Sequence, residues 1–495
     1  MPVQDEWCAD KLSNLLQEEL RISTLSELRD HLKALPHDEA ATMSSGLQLP
    51  LVFDCLNDSN SEQVDLACEV LTLCLSSLHL GESTQRYRTS LERALVHPYP
   101  AVKSMALNEI GRSISNEEVL CSLCEQTTLM LNIVNCLGDA DLGVAKRASE
   151  VLETLGVTVP GANRLVSNEV LIPLQELLSC NEVVRMRVYE LLVTISKLSE
   201  YSFGKFKSMG LISRVIEEIG NNDVLLKLNV IQILSELALS EHGYVFLDQQ
   251  GIFDRIFGLI NEDELTTQLC QPGILKFFGQ IGHKKPRELL AKYPAMFDYL
   301  FANIEQSDLV IIGISLDTIG FIGQTSHGKL ALDSTGSKLE GTVRIIAKLL
   351  PSLPTETQVR ALNCLENLLR DERYDTIQIT EKWYRLLGAE PMELIAKYAK
   401  NPFADLRLAG LGILNALAGQ PWGQEAIRNS PGLVEFLLDR SVESVKECKQ
   451  AKYVIVKLLA QSLVFDQNLQ ERIEEYVKEG PFYVQAVTEV AVEGN

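Results

Sequence analysis

Phe203-Gly204-Lys205-Phe206, then Gly210-Leu211-Ile212 with Val215, Ile216 and Ile219, then Asn221-Asn222-Asp223 and an aliphatic run from Val224 to Leu239: this stretch decides the fold. It holds three helical segments separated by two breaks. Apolar residues at 211, 212, 215, 216 and 219 follow the spacing of one buried helix face. Gly210 and the Asn-Asn-Asp run are the punctuation. A short helix and a longer pair cannot enclose a core alone, so such a unit is stable only when copies stack against it.

Copies are found in both directions. Further breaks fall at His97-Pro98-Tyr99-Pro100, Gly138-Asp139-Ala140-Asp141, Ser179-Cys180-Asn181-Glu182, Gln306-Ser307-Asp308, Pro351 to Thr355, and Asn401-Pro402, each just before an aliphatic helix. Landmark residues early in those helices are Val102, Val144, Val184, Leu226, Ile312, Val359 and Leu406, at intervals of 42, 40, 42, 86, 47 and 47 residues. The long interval is a double one, and the missing copy is expected near Pro272-Gly273-Ile274-Leu275. A basic residue follows several landmarks (Lys103, Arg185, Lys227, Arg360, Arg407). Glycine pairs mark the short first helix at Gly204 and Gly210, Gly243 and Gly251, Gly328 and Gly336, and Gly423 and Gly432. A three-helix unit of this period is the armadillo/HEAT pattern. The expectation is an all-α protein, a right-handed-type α-solenoid of armadillo/HEAT-like repeats in a single elongated curved array. Residues 1–46 are expected as an N-terminal helical cap, with Leu12, Leu15, Leu16 and Leu20 on one face and Leu25, Leu28, Leu32 and Leu35 on the next; residues 47–462 are the array and 463–495 a C-terminal helix and tail.

Composition narrows the function. The net charge of -22 repels phosphate backbones and leaves a basic protein surface as the attractive partner, so nucleic acid is not expected. The eleven cysteines are scattered in apolar helical contexts, such as Leu66-Ala67-Cys68, as reduced thiols are. With no secretory pattern after Met1 and no apolar run of membrane-spanning length, a cytoplasmic and also nuclear protein is expected, with no membrane association.

Fragments that imitate catalytic motifs have simpler explanations. Gly323-Gln-Thr-Ser-His-Gly328-Lys329 fits most of a phosphate-binding loop, but Leu330 stands where a magnesium-binding hydroxyl is needed, and the preceding segment is helical where a strand is required. Gly328-Lys329 is read as repeat grammar, in register with Gly204-Lys205. Gly410-Leu411-Gly412 lacks the third glycine of a dinucleotide loop and lies inside a helix, where small residues allow close packing. Cys121-Ser-Leu-Cys124 has no second pair of ligands nearby. No carboxylate pair is singled out for acid/base work, so neither catalysis nor a cofactor or metal is expected.

A binding surface remains. In a helical solenoid one helix of each repeat lines the concave side, and its exposed positions form a ladder. On the helix from Val184 to Leu198 the polar stripe is Arg187, Glu190, Thr194 and Lys197; on the next copy it is Asn229, Gln232 and Glu236. These seven are the candidate protein-binding residues.

Longer stretches carry a resemblance. They are His97-Pro98 with Ile110-Gly111-Arg112, Arg185-Met186-Arg187-Val188-Tyr189-Glu190-Leu191, Pro272 to Gly279, Gln420-Pro421-Trp422, Asn429 to Phe436, Asp439-Arg440-Ser441-Val442-Glu443, and Glu479-Gly480-Pro481-Phe482-Tyr483-Val484. In this order they resemble the 26S proteasome non-ATPase regulatory subunit 5 family, most closely from about residue 90 onward. The resemblance implies an assembly chaperone for the regulatory particle base. Such a protein holds proteasomal ATPase subunits, one by its small C-terminal domain, together with a large non-ATPase base subunit, and dissociates before completion. A monomer before partner binding is expected. An armadillo-type import adaptor would need a repeated Trp and Asn ladder, and Trp7, Trp383 and Trp422 do not supply one. An armadillo-type Hsp70 nucleotide-exchange factor, or another armadillo scaffold or adaptor, stays open.

Overall fold

The structure is a computed structural model that describes residues 2–261, 264–371 and 376–483. Every regular element among them is helical. The expected breaks fall where the helices begin, and at four of them the chemistry is side-chain N-capping. Asp141, Asn181, Asp223 and Asp308 each accept from a backbone N–H in the first turn of the helix that follows, at 2.9, 3.0, 2.8 and 2.8 Å to Val144, Val184, Leu225 and Val310. These donors have no partner inside the helix, so the side chain supplies one.

The chain forms two compact units, one ending at Ile252 and one beginning at Phe253. In the first unit the third helices of successive repeats, Ser61–Ser77, Pro100–Ser113, Leu142–Gly156, Glu182–Leu198 and Val224–Ala238, pack each on the next. The helix Arg21–Ala34 packs on Ser61–Ser77 and so opens this layer. In the second unit the same layer is Glu264–Lys284, Leu309–Ile322, Thr355–Leu369, Ala404–Ala418 and Lys446–Leu459, with Gln467–Glu479 packed on the last. The short first helices stack on one another likewise, as Glu117–Glu125, Val159–Leu165 and Glu200–Ser208 show. The all-α solenoid architecture is therefore present in both units.

The opening stretch comes out as Glu200–Ser208, Leu211–Glu217 and Val224–Ala238, with Leu211, Ile212, Val215, Ile216 and Ile219 all buried. Gly210, Gly251, Gly336 and Gly432 all have positive φ, between 62° and 71°, which turns the chain from the first helix into the second at a backbone conformation that side chains resist.

Three sequence expectations shift and one is met. Leu16 and Leu20 are 66% and 38% exposed, because the first helix ends at Leu15 and the chain turns away from the face they were to share. Gly204 is not in register with Gly328. A Cβ on Gly328 would lie 1.8 Å from the Ile322 carbonyl oxygen, and Gly243 and Gly423 are pressed on a carbonyl in the same way, whereas Gly204 has open space around it. The register partner of Gly328 is Ser202, whose backbone N–H is capped by Ser199 as that of Gly328 is by Thr325. The missing copy does lie at Pro272-Gly273-Ile274-Leu275, inside the long layer helix Glu264–Lys284. Val359 is not a core landmark: Thr357, third in its helix as Val102, Val144, Val184 and Leu406 are in theirs, is the buried residue. Two residues are about 200° of helix rotation, which puts Val359 on the opposite face.

The basic residues after the landmarks tie one repeat to the next. Lys103 meets Asp139 at 2.6 Å, Arg185 meets Glu218 at 3.2 Å, and Arg407 meets Glu443 at 2.8 Å. Burial pushes the Asp139 carboxyl up, but the hydrogen bonds from Lys103 and from the Asp141 backbone N–H outweigh it and hold the group below the usual carboxylate range. Arg360, displaced with its helix register, pairs instead with Asp317 and Glu356 at 3.2 and 3.0 Å.

The phosphate-loop imitation is resolved by Lys329, which is 1% exposed. Its ammonium donates to the carbonyl oxygens of Gly323 and, at 2.8 Å, Asn367, at the C-terminal ends of two layer helices. There it meets the negative end of both helix dipoles. Of the Cys121/Cys124 pair the second is buried, which pushes its thiol up to about 11. Among the described residues no group of His, Cys, Asp or Glu is placed to hold a metal ion, and no single helix is long and apolar enough to cross a membrane.

Candidate functional site

The third helices present their outer positions in rows. The helices Glu182–Leu198 and Val224–Ala238 lie side by side in the first unit. Their apolar faces, Val184, Val188, Leu191, Leu192 and Ile195 on one and Leu226, Val230, Ile231 and Leu234 on the other, are buried. Burial of that face points the remaining positions outward: Glu190, Asn229 and Gln232 are exposed, and Thr194 is half-buried. Lys197 and Glu236 meet across the two helices at 2.7 Å.

Arg187 differs from the rest of the predicted set. Its Nη1 donates to the carbonyl oxygens of Leu137 and Asp139 at 3.1 and 3.0 Å, so it fastens its helix to the loop ahead of Leu142–Gly156. The structure thus gathers all seven predicted residues on two adjacent helices, with Arg187 engaged within the chain.

The same layer in the second unit has a different surface. Counting from the buried third residue of each helix, the positions of Arg187 and Glu190 are taken by Ala409 and Gly412 on one helix and by Ala451 and Val454 on the next. Long polar side chains are replaced by short apolar ones, and a groove of about 520 Å³ opens across Thr355–Leu369, Ala404–Ala418 and Lys446–Leu459. Leu408 and Val454 face solvent in it, 40% and 37% exposed. Around this apolar surface stand Asn363, Glu366, Asp405, Asn415 and Gln450.

Glycine makes the groove possible. A Cβ on Gly410 would lie 2.4 Å from the Ala399 backbone nitrogen, so that glycine serves close helix packing as expected. Gly412 is different: its Cβ would meet Glu366 Oε2 at 2.3 Å, the end of a flexible side chain lying over the groove. Glu366 is paired with Arg370 one turn on. Asp405 is exposed and has no ion pair among the described residues, while the Asn415 side-chain oxygen is buried without a hydrogen-bond partner.

Sequence reasoning missed this groove because it searched for polar stripes. The signal was available: the stripe spacing applied from Leu406 gives Ala409, Gly412 and Ala416, a row defined by the side chains it lacks.

A larger polar cavity, near the C-terminal helix, is structural in its chemistry. Arg440 stacks on Tyr476 with 3.8 Å to the ring centroid, pairs with Glu479 at 3.0 Å, and donates to the Tyr476 and Gly480 carbonyl oxygens, fastening Gln467–Glu479 to the array.

Comparison with known proteins adds the following. The sequence model of the family described as Proteasome non-ATPase 26S subunit matches residues 4–495. The human 26S proteasome non-ATPase regulatory subunit 5 is 33% identical, over 97% of this chain and 98% of the relative. Its counterpart from Drosophila melanogaster is 28% identical, over 100% and 99%. Among solved structures, that of a Kap121p mutant superposes with a TM-score of 0.65 at 12% identity, over 95% of this chain and half of Kap121p, and that of importin beta with 0.56 at 12% identity, over 96% and 64%. At such identities these two structures speak to the helical-repeat fold alone.

Proposed function

This chain belongs to the proteasome non-ATPase 26S subunit family, and on that premise we propose that it is a non-catalytic assembly chaperone for the base of the 26S regulatory particle. Its first-unit ladder holds the small C-terminal domain of a base ATPase subunit, in a module that also contains a second ATPase subunit and a large non-ATPase base subunit. The chain works as a monomer before partner binding, in the cytoplasm and also in the nucleus, and dissociates before the particle is complete.

One observation carries the proposal beyond the family: Glu190, Thr194, Asn229, Gln232 and the Lys197–Glu236 pair form one polar face on two adjacent helices. A stable protein interface buries about 1,600 Å² in total, so neighbouring rows of the layer take part as well. Occupying a domain over such an area occludes the surface by which it meets its next partner. Release then follows from competition as assembly proceeds. The net charge of -22 favours a basic partner and speeds its encounter.

The test is co-purification from cells with the tagged full chain, wild type against Glu190→Lys combined with Asn229→Arg. Arg187 is left alone because it fastens the fold. Base ATPase subunits are expected to co-elute with the wild type and to fall at least tenfold with the variant. Undiminished recovery overturns the ladder assignment, and recovery of Hsp70 in place of ATPases overturns the chaperone role in favour of nucleotide exchange.

A further inference from the structure

We propose that the groove across Thr355–Leu369, Ala404–Ala418 and Lys446–Leu459 is a second, separate binding site, which takes an extended peptide segment of alternating aliphatic and basic residues. It does not depend on the first-unit ladder and requires a different partner chemistry.

Three observations converge on that occupant. The first is the apolar surface: Leu408 and Val454 are large apolar side chains left facing solvent inside a concavity, where Ala409, Leu411 and Ala451 complete the wall. Covering such a surface is favourable in proportion to the apolar area removed from water. The second is the charge at its margin. Asp405 is exposed with no ion pair among the described residues, Glu366, paired with Arg370, lies across the groove, and no Lys or Arg lines it, so a cation entering the groove finds Asp405 open and a second carboxylate that it shares with Arg370. The third is the amides Asn363, Asn415 and Gln450, which stand in the same wall; the Asn415 oxygen is without a hydrogen-bond partner. Amide side chains both donate and accept, as the main chain of an extended peptide requires.

The dimensions agree with an extended occupant. Three packed helices at about 8–10 Å spacing span about 20 Å, the reach of about six extended residues. In an extended chain successive side chains point to opposite sides. One set lies on the apolar surface, while the other projects toward Asp405 and Glu366.

Gly412 supplies the decisive variant. A Cβ there meets only the carboxylate end of the flexible Glu366 side chain and no backbone, so Gly412→Leu puts bulk into the groove without changing the charge. The probe is a fluorescein-labelled hexapeptide of alternating leucine and lysine, read by fluorescence anisotropy on the full chain. An alternating leucine and glutamate hexapeptide is the counter-probe.

The wild type is expected to bind the leucine/lysine probe saturably and the glutamate probe at least tenfold more weakly. Gly412→Leu is expected to weaken the first by at least tenfold. Asp405→Lys is expected to weaken it several-fold and to flatten its dependence on salt. Val454→Gln removes apolar surface on a separate helix and is expected to act in the same direction, which keeps the test valid if Gly412→Leu folds poorly. Glu190→Lys with Asn229→Arg is expected to leave probe binding unchanged, so loss of ATPase co-purification and loss of this site are told apart. Absence of saturable binding, equal binding of the two probes, or wild-type affinity in both Gly412→Leu and Val454→Gln overturns the proposal.

Discussion

The helices Glu182–Leu198 and Val224–Ala238 in one unit and Ala404–Ala418 and Lys446–Leu459 in the other occupy the same place in their repeats, yet offer partners opposite surfaces. In the first pair the outer positions carry Arg187, Glu190, Asn229 and Gln232; in the second they carry Ala409, Gly412, Ala451 and Val454. The buried faces are interchangeable, apolar and regularly spaced. A repeat therefore separates two tasks: the inner face is constrained by its neighbours, while the outer face is free to become either a polar row or a groove.

The two pairs also differ in how they are fastened. The groove pair depends on Arg407, which forms a two-point pair with Glu443, a carboxylate only 2% exposed, at 2.8 and 3.1 Å. Arg407→Ala strands that carboxylate in the interior and is expected to cost about 3–5 kcal/mol in urea denaturation followed by circular dichroism. The ladder pair depends on the half-buried Arg187. Arg187→Ala is expected to cost about 2 kcal/mol by the same measurement, since two charge-assisted hydrogen bonds are lost but water reaches the freed carbonyls. An equal cost for the two variants would remove the contrast in fastening.

A smaller effect sharpens the contrast through pH. Lys452, on the second helix of the groove pair, is 1% exposed, with its ammonium donating to the Asp439 carbonyl oxygen at 2.6 Å and 4.5 Å from the Phe436 ring centroid. Burial pushes it down to about 8; Glu443 and Asp439 pull it up, while Arg407 and Arg440 push it down. Its folded pKa is thus below its unfolded one, about 10.4. Between those values the unfolded chain holds a proton that the folded chain has released, so this group's contribution to stability grows as pH rises, by at most about 1.4 kcal/mol per pH unit. Relative to Lys452→Met, the wild type is expected to gain about 1–2 kcal/mol between pH 7.5 and 9.5. A constant difference across that range would show that the ammonium is not penalised by burial. The smallest effect belongs to the exposed ladder: Lys197→Ala is expected to cost less than about 1 kcal/mol, because a surface pair is screened and entropically costly to hold.

Much of the fold was legible because its signals are local. Apolar spacing within one helix, Asp and Asn caps at the breaks, and glycines at positive φ each act within a few residues, and their recurrence revealed the array. The resemblance across the later stretches agrees with the family match over residues 4–495. Register was less legible. Val359 and Thr357 are two residues apart, and hydrophobicity favours the wrong one, because a buried Thr can satisfy its hydroxyl within the helix whereas a valine can serve as the wall of a groove. Gly204 misled in the same way, being a glycine near the right position with nothing pressed against it.

The chain by itself determined that helices of this length recur, where each begins, and that their inner faces seek cover, since propensity, capping and periodicity are written within single segments. Only the tertiary structure decided which outward residues are free. Arg187 reads as an exposed rung until the loop carrying Leu137 and Asp139 comes within hydrogen-bond reach, and Gly412 reads as a packing residue until Glu366, from a separate helix, is found lying over it. Contacts between residues dozens of positions apart set both outcomes, and no spacing within one helix encodes them.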